Sequence, residues 1–167
     1  MIASPRRRRA AASLLTIAQL GQAHWFFGNL YESVARVPER LADAPIVAIE
    51  NERVSLGALL QPGSPARYYV PVAPLTVGAT VSALVAGWGA PRNRGWLGVS
   101  VVCLGTGGLL TARIARDINM KLFFTAQPLS STEREDLLRR WYRLNRIRLA
   151  ASGVAWLAAQ RARSTPR

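Results

Sequence analysis

Residues 68–90 read YYVPVAPLTVGATVSALVAGWGA and contain no aspartate, glutamate, lysine or arginine. Because a bilayer core about 30 Å thick requires about 20 residues of helix at roughly 1.5 Å each, this stretch is long enough to cross a membrane. Two further stretches of the 167-residue chain, residues 10–31 and 96–112, are equally free of charge when His24 is neutral. Three such runs in one short chain predict a membrane protein, since a soluble domain of this size seldom holds three.

The overall composition narrows the possible functions. Half of the residues are hydrophobic, and 22 lysines and arginines against 9 aspartates and glutamates give a net charge of +13. The apolar content excludes a disordered chain, and a single cysteine with a single histidine excludes a disulfide scaffold and a structural zinc site. We therefore expect no metal or other cofactor. A nucleic-acid-binding protein would place its basic residues on one face, whereas here they bracket the apolar runs, so we expect no nucleic-acid partner.

The charge-free runs predict an all-α fold, a four-helix transmembrane bundle formed by residues 10–162. A basic tail at residues 1–9, expected to be disordered near anionic headgroups, precedes this single domain, and a second basic tail at residues 163–167 follows it. Pro38 ends the first helix, and the connection at residues 91–95 is so short that the second and third helices must be antiparallel neighbours. The predicted spans are, approximately, residues 10–34, 68–89, 96–118 and 142–161.

Two longer connections are expected on the outer side of the membrane. Residues 36–67 form the first, in which short apolar pieces between Ile46 and Leu60 would lie on the bundle. Residues 119–131 form the second. Ser131 or Thr132 then caps an amphipathic helix that leads into the fourth span.

The fourth span is the least apolar of the four. Its apolar part, Leu149–Gln160, covers only 12 residues, so the helix crosses a bilayer only if Arg148 enters the membrane. A surface helix packed on the bundle is the alternative. Four spans place both termini on one side, and the tetra-arginine Arg6–Arg9 favours the cytoplasmic side by the positive-inside rule. A cleaved signal peptide, with small residues Gly21 and Ala23, is the alternative for the first helix.

Small residues recur every fourth position in the second helix. One row is Gly78, Ser82 and Ala86, and the next is Ala79, Ala83 and Gly87. Such rows let helices approach closely in lipid, either within the chain or between two copies of it. The alternative is that glycine and alanine are merely abundant here. Cys103 of the third helix is interpreted as a small apolar packing residue.

Trp141, Asn145 and Arg148 lie on one face of the predicted fourth helix because they are spaced by four and three residues. If Arg161 marks the inner membrane edge, Arg148 lies about 20 Å further along the helix, inside a core of about 30 Å. A charge at that depth usually faces the bundle interior and finds a partner, and Glu32 in the first helix is within reach. Snorkelling of Arg148 to the outer interface is the alternative.

These polar residues predict an outward-facing pocket between the first, third and fourth helices. In an oxidation of a phenolic carbon acid, Arg148 would stabilise the anion formed on deprotonation, with His24, Glu32 or water as the base. Two alternatives stay open: His24 as a neutral residue bonded to a neighbouring helix, and the polar groups as contacts that only hold helices together. The residues expected to bind substrate are Asn29, Asn119, Asn145 and Arg148, with Trp141 at the rim.

Three short motifs resemble a known family. RWYRLNRIR at residues 140–148 is similar to the R-W-x3-N-x2-R signature of the DUF1772, or anthrone oxygenase-like, family of small integral membrane proteins. NMKL at residues 119–122 resembles that family's Asn-x-x-Leu at the exit of the third helix, and FFGN at residues 26–29 resembles its first helix. The resemblance covers the layout of most of the chain, but specific residues only in these three patches.

The resemblance implies a four-helix membrane bundle and, from some fungal relatives, oxidation of anthrones to anthraquinones without a known metal or flavin. It transfers no catalytic residue, and the activity transfers less readily than the fold. The partners expected on this interpretation are membrane lipid, a small aromatic or quinone-like ligand and a second copy of the chain. The alternative is a non-enzymatic membrane protein that binds lipid or partner proteins.

Overall fold

A computed structural model describes residues 5–43, 60, 62, 64–124 and 129–164 of the chain. Within these residues the regular structure is entirely helical, which confirms the predicted all-α class. The apolar pieces predicted from Ile46 onward lie, up to residue 59, outside the described residues. The helices are α1 (Pro5–Val34), α2 (Val37–Asp43), α3 (Ala66–Tyr69), α4 (Val72–Gly87), α5 (Pro91–Ile114), a π-helical turn (Ala115–Asn119), α6 (Met120–Phe123) and α7 (Ser131–Ser164).

The four long helices pack side by side around a common axis. α1 packs against α4 and α7, while α5 packs against the same two helices on the opposite side. At one end of the bundle, buried Leu15, Ala83, Leu97 and Ala162 bring all four helices together. At the other end, a larger apolar cluster around Trp141 joins α7 to the π-helical turn and α6. The arrangement leaves the polar faces of α1 and α7 turned toward the axis.

Two helical stretches are long and apolar enough to cross a membrane. They are Ala66–Gly87 and Pro91–Phe123, and only 22% and 17% of their apolar windows are buried inside the protein. Large side chains on their outer faces are exposed, such as Val85 at 72% and Leu109 at 76%. Burying apolar surface releases roughly 25 cal/mol per Å² in water, so a soluble protein gains by covering such faces, whereas lipid tails accept them.

Several predicted boundaries are wrong by a few residues. α5 begins at Pro91, so the predicted loop at residues 91–95 is the first turn of this helix, because proline at the first helical position costs no hydrogen bond. The actual turn follows Gly87. There the Arg94 side chain donates a hydrogen bond to the Trp88 carbonyl, and its guanidinium lies over the Trp88 ring. α1 likewise begins at Pro5 rather than Ala10.

The second predicted helix is divided near its start. Val70 and Pro71 keep right-handed helical backbone angles between α3 and α4. Pro71 and Pro74 have no N–H, so two hydrogen bonds of the ladder are missing while the chain direction is kept. The row of Ala79, Ala83 and Gly87 faces the neighbouring helices, whereas the row that starts at Gly78 is exposed.

Helix α2 lies within the predicted connection 36–67 and was not expected. Arg36 has a φ of 51°, and this left-handed residue ends α1 and turns the chain into α2. Glu39 of α2 accepts hydrogen bonds from the Arg36 guanidinium at 3.0 Å and from the Tyr142 hydroxyl at 2.6 Å. Partial burial opposes ionisation of Glu39, but these hydrogen bonds outweigh it and lower the pKa of the carboxyl.

The N-terminus of α7 is capped by Ser130, not by Ser131 or Thr132. The Ser130 hydroxyl accepts from the Glu133 backbone N–H at 3.3 Å, and the Glu133 carboxylate accepts from the Ser130 N–H at 3.1 Å. This reciprocal pair is a capping box, and its hydrogen bonds lower the pKa of Glu133. From there α7 runs for 34 residues without a break, so the amphipathic segment continues directly into the predicted fourth span.

Candidate functional site

A buried ion pair joins the C-terminal end of α1 to the middle of α7. The Arg148 Nη2 atom lies 3.3 Å from the Glu32 Oε2 atom, and the two side chains are only 6% and 11% exposed. Glu32 also shares a side-chain hydrogen bond with Tyr69 of α3, and the Arg148 guanidinium lies over the Trp141 ring, 5.7 Å from its centroid. Arg148 therefore faces the bundle interior, and the snorkelling alternative is wrong.

Asn145 holds this ion pair in place from α7. Its Oδ1 atom accepts from Arg148 Nε at 2.8 Å, while its Nδ2 atom donates to Ser33 Oγ at 2.5 Å and to the Asn29 carbonyl at 3.3 Å. Both polar atoms of the Asn145 side chain are thus hydrogen-bonded, Oδ1 within α7 and Nδ2 to α1. Trp141, Asn145 and Arg148 lie on one inward face of α7, as predicted. Asn145 links Arg148 to α1.

A central cavity of about 300 Å³ lies on the bundle axis beside Arg148. All four long helices contribute to its lining. Apart from Leu104, the wall from α5 is built of small residues. These residues are Cys103, Gly107, Gly108, Thr111 and Ala112.

Gln22 of α1 is among the residues that line the central cavity, and it is only 1% exposed. Its Nε2 atom donates to Thr80 Oγ1 at 3.1 Å and to Ser100 Oγ at 3.0 Å. Both hydroxyls donate their own protons to backbone carbonyls. The Thr80 hydroxyl donates to the Thr76 carbonyl at 2.7 Å, and the Ser100 hydroxyl donates to the Ala155 carbonyl at 3.1 Å. They can therefore only accept from Gln22, which fixes the amide orientation. The buried Gln22 Oε1 atom is left without a partner.

Asn29 is a second residue of this lining whose side-chain amide has no partner. The residue is fully buried, and neither Oδ1 nor Nδ2 has a hydrogen-bond partner. Leaving a buried donor or acceptor unpaired costs about 1–3 kcal/mol, so such groups in native proteins usually bind water or a ligand. Asn29 and Gln22 together leave two acceptors and one donor group of α1 buried without a partner.

A second cavity, the end cavity, lies on the other side of the ion pair and has a volume of about 260 Å³. Arg148 contributes to both cavities, as do Trp25 and Thr111. Trp141 lines the end cavity and is 2% exposed, so it is a wall residue rather than the predicted rim. Asn119 also lines it, with its Oδ1 atom unpartnered, and lies in the π-helical turn, a feature frequent at functional sites.

His24 does not join the ion pair. It is exposed, and its Nε2 atom lies 3.0 Å from the Tyr68 carbonyl of α3. It lines a third cavity, of about 390 Å³, between α1 and α3, to which Glu32 also contributes. The geometry agrees with the alternative in which His24 bonds a neighbouring helix, and it leaves Glu32 as the candidate base nearest to Arg148.

The predicted substrate-binding residues therefore divide into three places. Asn29 and Arg148 line the central cavity, Asn119, Trp141 and Arg148 line the end cavity, and Asn145 lines neither of these cavities. Gln22, seven residues before Asn29 on α1, was not included in the predicted site. The seven-residue spacing of two amides inside a charge-free run was the available signal.

No family model, curated protein or solved structure matches this chain. The resemblance to the anthrone oxygenase-like family thus stays a prediction.

Proposed function

We propose that this protein is a multi-pass membrane protein whose four long helices span the bilayer, with both termini in the cytoplasm, and whose central cavity binds a small, largely apolar molecule. The exposed apolar faces of α4 and α5 support the membrane location, because they need a lipid environment or a partner to be covered.

The distribution of charge supports the proposed orientation. The tetra-arginine Arg6–Arg9 stands at the start of α1, and Arg92, Arg94 and Arg163 belong to the same end of the bundle. The positive-inside rule counts lysines and arginines close to the ends of the spans, and the tetra-arginine supports a cytoplasmic position for this end. The acidic residues of the described ranges lie toward the opposite end: Glu32, Glu39, Asp43, Asp117, Glu133, Glu135 and Asp136.

The binding proposal rests on one observation, a largely apolar cavity of about 300 Å³ to which all four long helices contribute and whose lining includes the polar residues Gln22, Asn29 and Arg148. Apolar cavities with a few convergent polar groups are the usual form of small-molecule sites. Because Arg148 is already paired with Glu32, the ion pair supplies polarity and shape rather than a free cation for an anionic ligand. An aromatic or quinone-like molecule fits this description, and its oxidation is the narrower proposal that the family resemblance adds.

The second candidate is a purely structural role for the polar residues. Asn145 favours it, because the hydrogen bonds of this side chain all join α1 to α7 or orient Arg148. Gln22 and Asn29 do not fit this role as well, since three of their polar atoms hold no other part of the protein. A variant that fills the cavity without touching any of these bonds separates the two functions.

Gly107→Leu is that variant. Gly107 lines the cavity, and a Cβ added there meets no atom within 4 Å. We expect calorimetric titration of the wild-type protein in mild detergent to detect 1-naphthol binding near one per chain, and Gly107→Leu to abolish it. Replacing glycine within a helix adds about 0.8–1 kcal/mol of helix propensity, so the variant should not lose thermal stability.

Gly105→Leu is the matched control, since Gly105 lies on the same helix, also meets open space and does not line the cavity. It should bind 1-naphthol like the wild type. Equal binding by all three proteins would place the ligand elsewhere, and absence of binding to the wild type would contradict the proposed function.

A further inference from the structure

We propose that the central and end cavities open to lipid through a slot between α4 and α5, and that their occupant is a membrane-dissolved molecule with an apolar tail. The head of this molecule lies inside the central cavity, and its tail leaves through the slot. The inference rests on the proposed binding function and adds the source of the ligand and its general form.

The central and end cavities adjoin each other along the bundle axis. Their volumes are about 300 Å³ and about 260 Å³, near the lower limit for small-molecule sites, so either cavity encloses a compact head but not a long chain as well. Five residues line both of them: Trp25, Ala73, Thr111, Ala115 and Arg148.

Helices α1 and α7 form the closed side of both cavities. Among the described residues, none of those that these two helices contribute to either lining is exposed. In the central cavity, Trp25 is half-buried and Ser152, at 8%, has the next largest exposed fraction on this side. An opening therefore has to lie on the opposite side, toward α4 and α5.

The exposed lining residues form the two edges of the slot. On one edge are Val70, just before α4, and Val77, with exposed fractions of 44% and 48%. On the other are Gly108, Ala112 and Ala115, all exposed. Each edge spans seven residues, about 10 Å along a helix. A Cβ added to Gly108 meets no atom within 4 Å, so no side chain closes the slot there.

The chemistry of the slot favours lipid as the source of the occupant. Its edges consist of valine, glycine and alanine, and both belong to the stretches that are long and apolar enough to cross a membrane, Ala66–Gly87 and Pro91–Phe123. A polar, water-soluble ligand would lose its hydration in such a slot without gaining hydrogen bonds, whereas a hydrocarbon chain passes from lipid into it without that cost. The part of the ligand that exceeds the cavity therefore stays in lipid.

The test compares 1-naphthol with 4-hexadecyl-1-naphthol, the tailed probe, whose chain is too long to fit beside the ring in either cavity. Native mass spectrometry of protein released from phosphatidylcholine nanodiscs gives the bound fraction at each mole fraction of probe, with Gly107→Leu as the blank. Because the chain is in lipid before and after binding, we expect the two affinities per mole fraction to agree within about twofold. A closed cavity would exclude the chain and weaken binding of the tailed probe by about tenfold or more.

Val77→Phe narrows the slot at its α4 edge. It should weaken binding of the tailed probe by about tenfold and leave that of 1-naphthol within about twofold. Val81→Phe is the matched control, because Val81 lies one turn further along α4, is similarly exposed at 43% and lines neither cavity. It should change neither affinity.

The outcomes separate the inference from the function beneath it. Binding of 1-naphthol without the tailed probe would overturn the slot and leave the proposed function intact. A tailed probe that binds Val77→Phe as tightly as the wild type, or a loss of both probes in this variant, would overturn the position of the slot edge. Binding of neither probe to the wild type would overturn both the inference and the proposed function.

Discussion

Glu32→Leu is expected to destabilise the bundle by about 3–5 kcal/mol, because it leaves the Arg148 guanidinium buried without its counter-charge. Arg148→Met should have a comparable effect through the stranded carboxylate. The double variant Glu32→Leu/Arg148→Met, however, replaces the pair by apolar side chains of similar size. It should recover most of the loss, since a buried pair often contributes little beyond an apolar replacement.

The measurement is unfolding of the purified proteins by titration with a denaturing detergent, with helix content as the signal. Arg143→Met is the control, because Arg143 lies on the same helix but is exposed, and it should change stability little. A double variant as unstable as either single variant would mean that the pair is an indispensable part of the fold. A single variant as stable as the wild type would contradict the burial of the pair.

Gly21→Leu is expected to prevent close packing of α1 against α4. A Cβ at Gly21 would overlap the side chain of Thr76, which is itself buried and bonded to the Val72 carbonyl at 2.8 Å. Atoms this close cannot coexist, so we expect the two helices to separate. Overpacking typically lowers the free energy of unfolding by about 1–3 kcal/mol. We expect a leucine at this close helix crossing to cost about 3 kcal/mol or more.

Gly78→Leu provides the comparison on α4. Gly78 is exposed, and a Cβ there meets no atom within 4 Å. Size-exclusion chromatography and thermal unfolding in detergent should show Gly21→Leu aggregated or strongly destabilised and Gly78→Leu close to the wild type. The reverse order would mean that the packing face of α4 is the row that starts at Gly78.

The long helices could be predicted from the sequence because their signal is local. Charge-free runs of the right length mark α1, α4 and α5, and proline and glycine mark their approximate ends. The π-helical turn and α2 were missed, since both depend on contacts with distant parts of the chain rather than on periodicity. Ser130 was missed as the cap although Glu133 three residues later completes the capping-box pattern.

The candidate site was predicted in part. The i, i+4, i+7 spacing of Trp141, Asn145 and Arg148 put the three on one inward face, and the depth of Arg148 called for a partner such as Glu32. The individual hydrogen bonds and ion pairs of these residues were not predictable, because they depend on which side-chain atoms meet across helices. The orientation of the Gln22 amide was likewise not predictable, because it depends on hydrogen bonds to Thr80 and Ser100 of two other helices.

Membrane insertion and ligand binding are tested together by native mass spectrometry of the protein extracted with mild detergent from carbonate-washed membranes. We expect the chain to stay in the washed membranes and its spectrum to show one small molecule that is not a phospholipid. This molecule should be present in Gly105→Leu and lost in Gly107→Leu. A chain that washes off the membrane would contradict the proposed membrane location, and phospholipid alone in all three proteins would contradict the proposed binding function.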